Sequence, residues 1–193
     1  TLAANSDSKV ASQKATKTAL ASKVDKTAVR ELLTANRTYY VRTDGSDSNT
    51  GLVDSSAGAF LTIQKAIDVA AALDLGIYAV TIQVGTGTYT GALSAKRYVG
   101  AGPITIIGDT TTPSNCVLSI TGNSVFTGNG TPKHVLKGFK LQTTTSGNGI
   151  IAINGAVIDY ESLEFGAVAA GYNHIFSGSN AIVTNTAGTT VLS

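Results

Sequence analysis

Residues Phe60–Gly91 read F-L-T-I-Q-K-A-I-D-V-A-A-A-L-D-L-G-I-Y-A-V-T-I-Q-V-G-T-G-T-Y-T-G, and the apolar period changes halfway along. Ile63, Ala66, Ile67, Ala70 and Ala71, followed by Leu73 or Leu75, recur at helical spacing. That predicts an amphipathic helix over about 62–75. Thr62 stands at the N-cap position and Gly76 at the stop. Val80, Ile82 and Val84 then alternate with Thr81 and Gln83, the pattern of a strand with one buried face. Gly85, Gly87 and Gly91 punctuate turns around Tyr89. A helix used once, ahead of a run of strands, has the character of a cap.

Downstream the chain is a string of short strand-like phrases with no second helical period. The expected strands are Ile104–Ile107, Val117–Ile120, Val135–Leu141, Gly149–Ile153, Val157–Phe165, His174–Phe176, Ala181–Thr184 and Thr190–Leu192, with Tyr39–Arg42 upstream. Asn154-Gly155 is the one hairpin-type dipeptide inside a strand run, which disfavours a sandwich. Similar phrases such as Ile104–Gly108, Val135–Phe139 and Ile151–Gly155 recur at an irregular period of roughly 20–25 residues, as in stacked units. The predicted fold is mainly β, a parallel solenoid over 39–193. Its last strand runs to the end of the sequence, so the expectation is that it continues or is sealed by another subunit.

The order Y-Y-V-R-T-D-G-S-D-S-N-T-G (Tyr39–Gly51), F-L-T-I-Q-K-A-I-D, V-T-I-Q-V and G-T-Y-T-G resembles the N-terminal lead into a right-handed parallel β-helix of the pectate-lyase-like superfamily. The motif match covers about Tyr39–Gly91 and the remainder follows by pattern. The resemblance implies the fold. It does not fix a chemistry, because that superfamily holds lyases, hydrolases, virus tailspikes and inert stalks.

Residues 1–38 are rich in Ala, Ser, Lys and Thr and contain neither Gly nor Pro, a helical composition. Val10, Lys17 and Val24 lie seven apart; Leu20, Val24, Ala28 and Leu32 lie four apart. So thin an apolar stripe is marginal as a lone helix and predicts a coiled-coil stem, here of a homotrimer. The phrase Leu20–Val29 resembles segments of trimeric phage tail fibres, in which the Asp restarts a helix. Asp25 is therefore expected to cap a helix over Lys26–Ala35 that Asn36 ends.

Charged residues make up 13% of the chain, about half the ordinary share. The net charge of +2 divides into +4 over 1–38 and −2 over 39–193. Neither part has the basic character of a nucleic-acid binder. No apolar run approaches the roughly 20 residues of a membrane-spanning helix, so no membrane insertion is expected. Cys116 is the one cysteine and reads as a small buried hydrophobe.

Candidate chemistry is sparse. Asp44, Asp47 and Asn49 in D-G-S-D-S-N-T-G are calcium candidates, although the spacing is not that of an EF-hand and Asx-turns explain it more simply. His134 and His174 lie in no recognisable motif, and one Cys with two distant His is too few for zinc. Gly85-Thr86-Gly87 lacks the Lys and helix of a phosphate loop. After residue 92 the acids are Asp109, Asp159, Glu161 and Glu164. Asp159 and Glu161 alternate, so they share a strand face about 6.5–7 Å apart with Tyr160 opposite, within acid/base range. They are the candidate catalytic pair. The resemblance also implies an Arg base for lyase chemistry, and no Arg follows Arg97.

The sequence therefore reads as a structural or receptor-binding part of a phage or prophage tail fibre or tailspike, extracellular and in the virion. It would join other tail or baseplate proteins through residues 1–38, meet host surface polysaccharide, and need no cofactor. The alternative on the same fold is a polysaccharide depolymerase, a hydrolase or lyase. A bacterial surface adhesin is a third reading.

Overall fold

The computed structural model describes residues 30–187 together with the backbone of 191 and 192. Leu32–Ser193 forms one compact unit. In chain order, β1 (Arg37–Val41) precedes helix α1 (Ile63–Ala71). A first turn of strands follows: β2 (Val80–Val84), β3 (Gly87–Tyr89) and β4 (Leu93–Ser94). The second turn is β5 (Ile104–Ile107), β6 (Cys116–Thr121) and β7 (Phe126–Asn129). The third is β8 (His134–Lys137), β9 (Lys140–Thr144) and β10 (Ile150–Ile153). The fourth is β11 (Val157–Glu161), β12 (Glu164–Phe165) and β13 (Ile175–Ser177), and β14 (Ile182–Ala187) and β15 (Val191–Leu192) open another.

Each turn gives one strand to each of three sheets, ordered β1-β2-β5-β8-β11-β14, β3-β6-β9-β12-β15 and β4-β7-β10-β13. Every strand pairing among the described residues is parallel. The chain is thus a β-solenoid of about four turns. On the first sheet Val80 pairs with Ile104, Ile104 with His134, His134 with Ile158 and Ile158 with Val183, steps of 24, 30, 24 and 25 residues.

The register stacks like on like inside the coil. Ile82, Ile106, Leu136 and Tyr160 form one inward column; Tyr89, Leu118, Leu141 and Phe165 form another; Leu93, Phe126, Ile150 and Ile175 form a third. These columns are nearly all fully buried and alternate with outward polar residues, as a half-buried strand requires. Corners are tied between turns by side chains. Ser124 Oγ accepts from the Asn148 amide, Asn148 Oδ1 accepts from the Asn173 amide, and Asn154 Nδ2 donates to Asn129 Oδ1.

The long step lies at one corner. Gly108–Asn115 separates β5 from β6, where two residues suffice between β8 and β9. Asp109 pins this corner, its carboxylate accepting from the amides of Thr111 and Thr112 and from Asn115 Nδ2 at 2.8–2.9 Å. Those bonds hold the Asp109 carboxyl below its usual range.

Helix α1 covers the first turn, with Ile63, Ala66, Ile67, Ala70 and Ala71 buried against β1, β2 and β4. Thr62 caps it, accepting from the Lys65 amide. The helix stops at Ala71, about a turn short of the predicted 62–75. Asp74 leaves it to join a small parallel ladder with Leu32 and Val99. Leu73 and Leu75 are buried all the same, from the loop.

Other expectations are corrected by the turns. Val135–Leu141 is two strands, broken at Gly138 with φ +75°, where a Cβ would lie 2.7 Å from the backbone of Asp109 and Thr110. Val157–Phe165 breaks at the equivalent Ser162, with φ +50°. Of the three recurring phrases, Ile104–Gly108 and Val135–Phe139 share a sheet, whereas Ile151–Gly155 belongs to a different one. Strands β3, β4 and β7 were not expected.

The predicted stem over 1–38 lies mostly outside the described residues, Asp25 included. Its last part is not helical. Leu32 bridges Asp74, the Leu33 amide donates to Asp74 O at 2.9 Å, and Asn36 Oδ1 accepts from the Ala79 amide. Leu33 is buried, so the solenoid unit takes up the chain from Leu32, ahead of residue 39.

Candidate functional site

The outer face of the first sheet carries the acids of the candidate pair. In β11, Ile158 and Tyr160 point inward, and Tyr160 sits edge-on to Phe165. Asp159 and Glu161 therefore face the other way. Each has its own lysine from the preceding turn. Lys133 Nζ lies 2.5 Å from Asp159, and Lys137, the register neighbour of Glu161, lies 3.8 Å from it. Lys140 pairs with Glu164 at 2.6 Å one sheet further on. The result is a ladder of opposite charges across two turns, which locks the outer face in register. Asp159 is itself buried, so Lys133 supplies the counter-charge that its burial demands.

The loop after β1 separates its three calcium candidates. Asp44 takes the Arg42 guanidinium in a two-pronged pair at 2.8 and 3.1 Å. That partner holds the Asp44 carboxyl below its ordinary range and raises the guanidinium. Asp47 accepts from the amides of Leu61 and Thr62 and from the Thr62 hydroxyl, closing the start of α1. A carboxylate there answers both the free amides and the helix dipole. Asn49 Nδ2 donates to the carbonyls of Ser56 and Ala59. Among the described residues no group of three or more His, Cys, Asp or Glu is placed to hold a metal ion.

The remaining acids are engaged as well. Asp54 pairs with Arg42, Asp68 with Gln64 and Lys96, and Asp74 accepts from the Gly76 amide. His134 sits in the inward column between Ile104 and Ile158. Its Nδ1–H donates to Pro132 O at 2.9 Å, while Nε2 is buried without a partner, beside the rings of Tyr98 and Phe126. Burial pushes the imidazole below its ordinary value and the Tyr98 phenol up to about 12. Cys116 is buried under the carbonyls of Val84 and Gly85, and its thiol is pushed up by that burial.

One concave feature stands apart from these pairs. A cleft of about 300 Å³ opens between the start of α1 and the strands β3 and β4. Threonines from three segments line it, and nothing in their spacing along the chain marks that they converge. The chain was compared with family models, with curated proteins and with solved structures, and none matches.

Proposed function

We propose that this chain is a structural and receptor-presenting element of a fibre, most like a phage or prophage tail fibre or tailspike. In this reading the chain ahead of Arg30 forms a trimeric helical stem that joins other tail or baseplate proteins. The solenoid coils right-handed in the pectate-lyase-like manner, and the particle works outside the cell against host surface polysaccharide. The observation that carries the reading is the state of the acids. All nine Asp and Glu residues after Glu31 are spoken for by a lysine, an arginine, a capped amide or a loop. Acid/base catalysis needs two groups with separated pKa values facing a cleft. Here the closest candidates, Asp159 and Glu161, serve as register pins.

Light scattering on the purified chain at micromolar concentration is expected to give three times the chain mass, and a monomer mass would refute the trimeric fibre. The depolymerase alternative is tested by incubation with capsular and lipopolysaccharide glycans. New reducing ends or unsaturated products that vanish in Asp159→Asn or Glu161→Gln would replace the structural reading with the enzymatic one.

A further inference from the structure

The cleft beside α1 has an unusual chemistry of lining. Most of its polar atoms are already used. The Thr62 hydroxyl donates to Asp47 and accepts from the Lys65 amide. Gln64 is held at both ends of its amide by Ser94 and Asp68. The Tyr89 hydroxyl donates to Gly85 O. What remains is Thr43, Thr88 and Thr90, one hydroxyl each from the segment after β1, from β3 and from the turn beyond it. Each is solvent-exposed and none is consumed by an internal bond. Leu61, 42% exposed, and the buried Leu93 line the same cleft. No lining residue carries a charge.

These features select a ligand class. A hydroxyl both donates and accepts, so three of them around one space match a partner whose groups also do both. An uncharged lining gives no counter-ion to a phosphate, a carboxylate or an amine. An exposed leucine wall asks for an apolar face on the same molecule. A neutral pyranose ring combines a C–H face with a rim of hydroxyls. A volume near 300 Å³ is at the small end for ligand sites, room for one ring and not for a chain.

We infer that this cleft binds a single neutral hexose or N-acetylhexosamine unit, the C–H face on Leu61 and the hydroxyls on Thr43, Thr88 and Thr90. The inference deepens the fibre reading and rests on it for the source of the sugar, a unit of a host surface glycan. A fibre gains from such a site even when one contact is feeble, because three copies on one particle multiply it.

The test is amide-resolved NMR of the full chain, titrated with the neutral methyl glucoside, galactoside, mannoside and N-acetylglucosamine and, as the charged comparison, sialic acid, each to about 100 mM, which reaches very weak binding. The expected result is that at least one sugar shifts the amides around Thr43, Leu61, Thr88 and Thr90. Gly91 gives a clean block. Gly91 lines the cleft and a Cβ built there meets nothing within 4 Å, so Gly91→Trp brings a large ring to the cleft's edge without straining the backbone. This variant is expected to keep the parent's melting temperature and lose affinity at least tenfold. Thr88→Val and Thr90→Val, which keep shape and remove one hydroxyl, are each expected to weaken binding severalfold. Shifts that survive Gly91→Trp, no shift with any neutral sugar, or a preference for sialic acid over all of them would each overturn the proposal. A monomer that binds the sugars loses the fibre and keeps the cleft; a trimer that ignores them loses the cleft alone.

Discussion

Ile67 decides whether α1 is a structural cap. Its side chain is fully buried, 0% exposed, in a helix packed on β1, β2 and β4. Ile67→Ala removes about three methylene equivalents, near 2.4 kcal/mol of transfer energy at ~0.8 kcal/mol each. The cavity left behind adds to this, and the better helix propensity of Ala returns about 0.4 kcal/mol. The net loss is about 3 kcal/mol. For a unit of this size that corresponds to a fall in melting temperature of about 6–12 °C. Ile67→Asp places an unpaired carboxylate in the same space and costs several kcal/mol more. The sum approaches the whole stability of an ordinary domain, about 5–15 kcal/mol. Thermal melts by circular dichroism measure the totals, and amide hydrogen exchange locates them. Because each turn of a solenoid touches only its neighbours, faster exchange is expected in β1 and β2 and not in β11. An Ala variant that melts within about 1 °C of the parent would refute the cap.

Four further outcomes are expected. His134 is held neutral by burial, so its proton goes preferentially to the unfolded chain. Stability should be level above about pH 6.5 and fall as pH drops below it, by up to about 1.4 kcal/mol per unit until the folded-state value is passed. Melts at pH 7.5 and 5 should show this slope, and His134→Ile, which completes the apolar column, should abolish it. Asp47→Ala strips the acceptor from two amides and a hydroxyl and should cost about 1–3 kcal/mol in urea melts. Calcium or a chelator should leave the parent's melt unchanged. Gly102→Ala would put a Cβ 1.8 Å from the backbone carbonyl oxygen of Tyr78. It should cost about 3 kcal/mol or more, and a variant that melts like the parent would show that this corner yields freely.

The parts legible in the sequence were those with a long period. Ile63–Ala71 shows five buried positions at helical spacing, and Val80–Val84 shows three alternations, so both were found. Strands β3, β4 and β7 have two to four residues each and are rich in Gly, Thr and Ser, too short to display any period. Ser162 ends a strand in a left-handed conformation that serine does not announce, whereas Gly138 could have been read as a break. The helix expected over Lys26–Ala35 does not run through its described part, 30–35, where tertiary pairing at Leu32 and Leu33 outweighs local propensity. Asp159 and Glu161 were visible as a pair, but their lysines come from one turn earlier in the coil. The signal was present in the spacing. Lys137 and Lys140 precede Glu161 and Glu164 by the same 24-residue step that stacks His134 under Ile158. The cleft threonines carry no such mark, since Thr43 and Thr88 meet only after the chain has passed through α1.

The Gly108–Asn115 corner has a consequence for how such a chain varies over generations. The strands on either side of it stay in register although one circuit is longer than the others. Length added there projects sideways and leaves the stack unaltered. Doubling the segment adds only about 0.6 kcal/mol of closure entropy. Insertions can therefore accumulate at this corner while the stacked strands remain under the discipline of the coil. Two descendants of this chain could differ in a branch and be superimposable everywhere else.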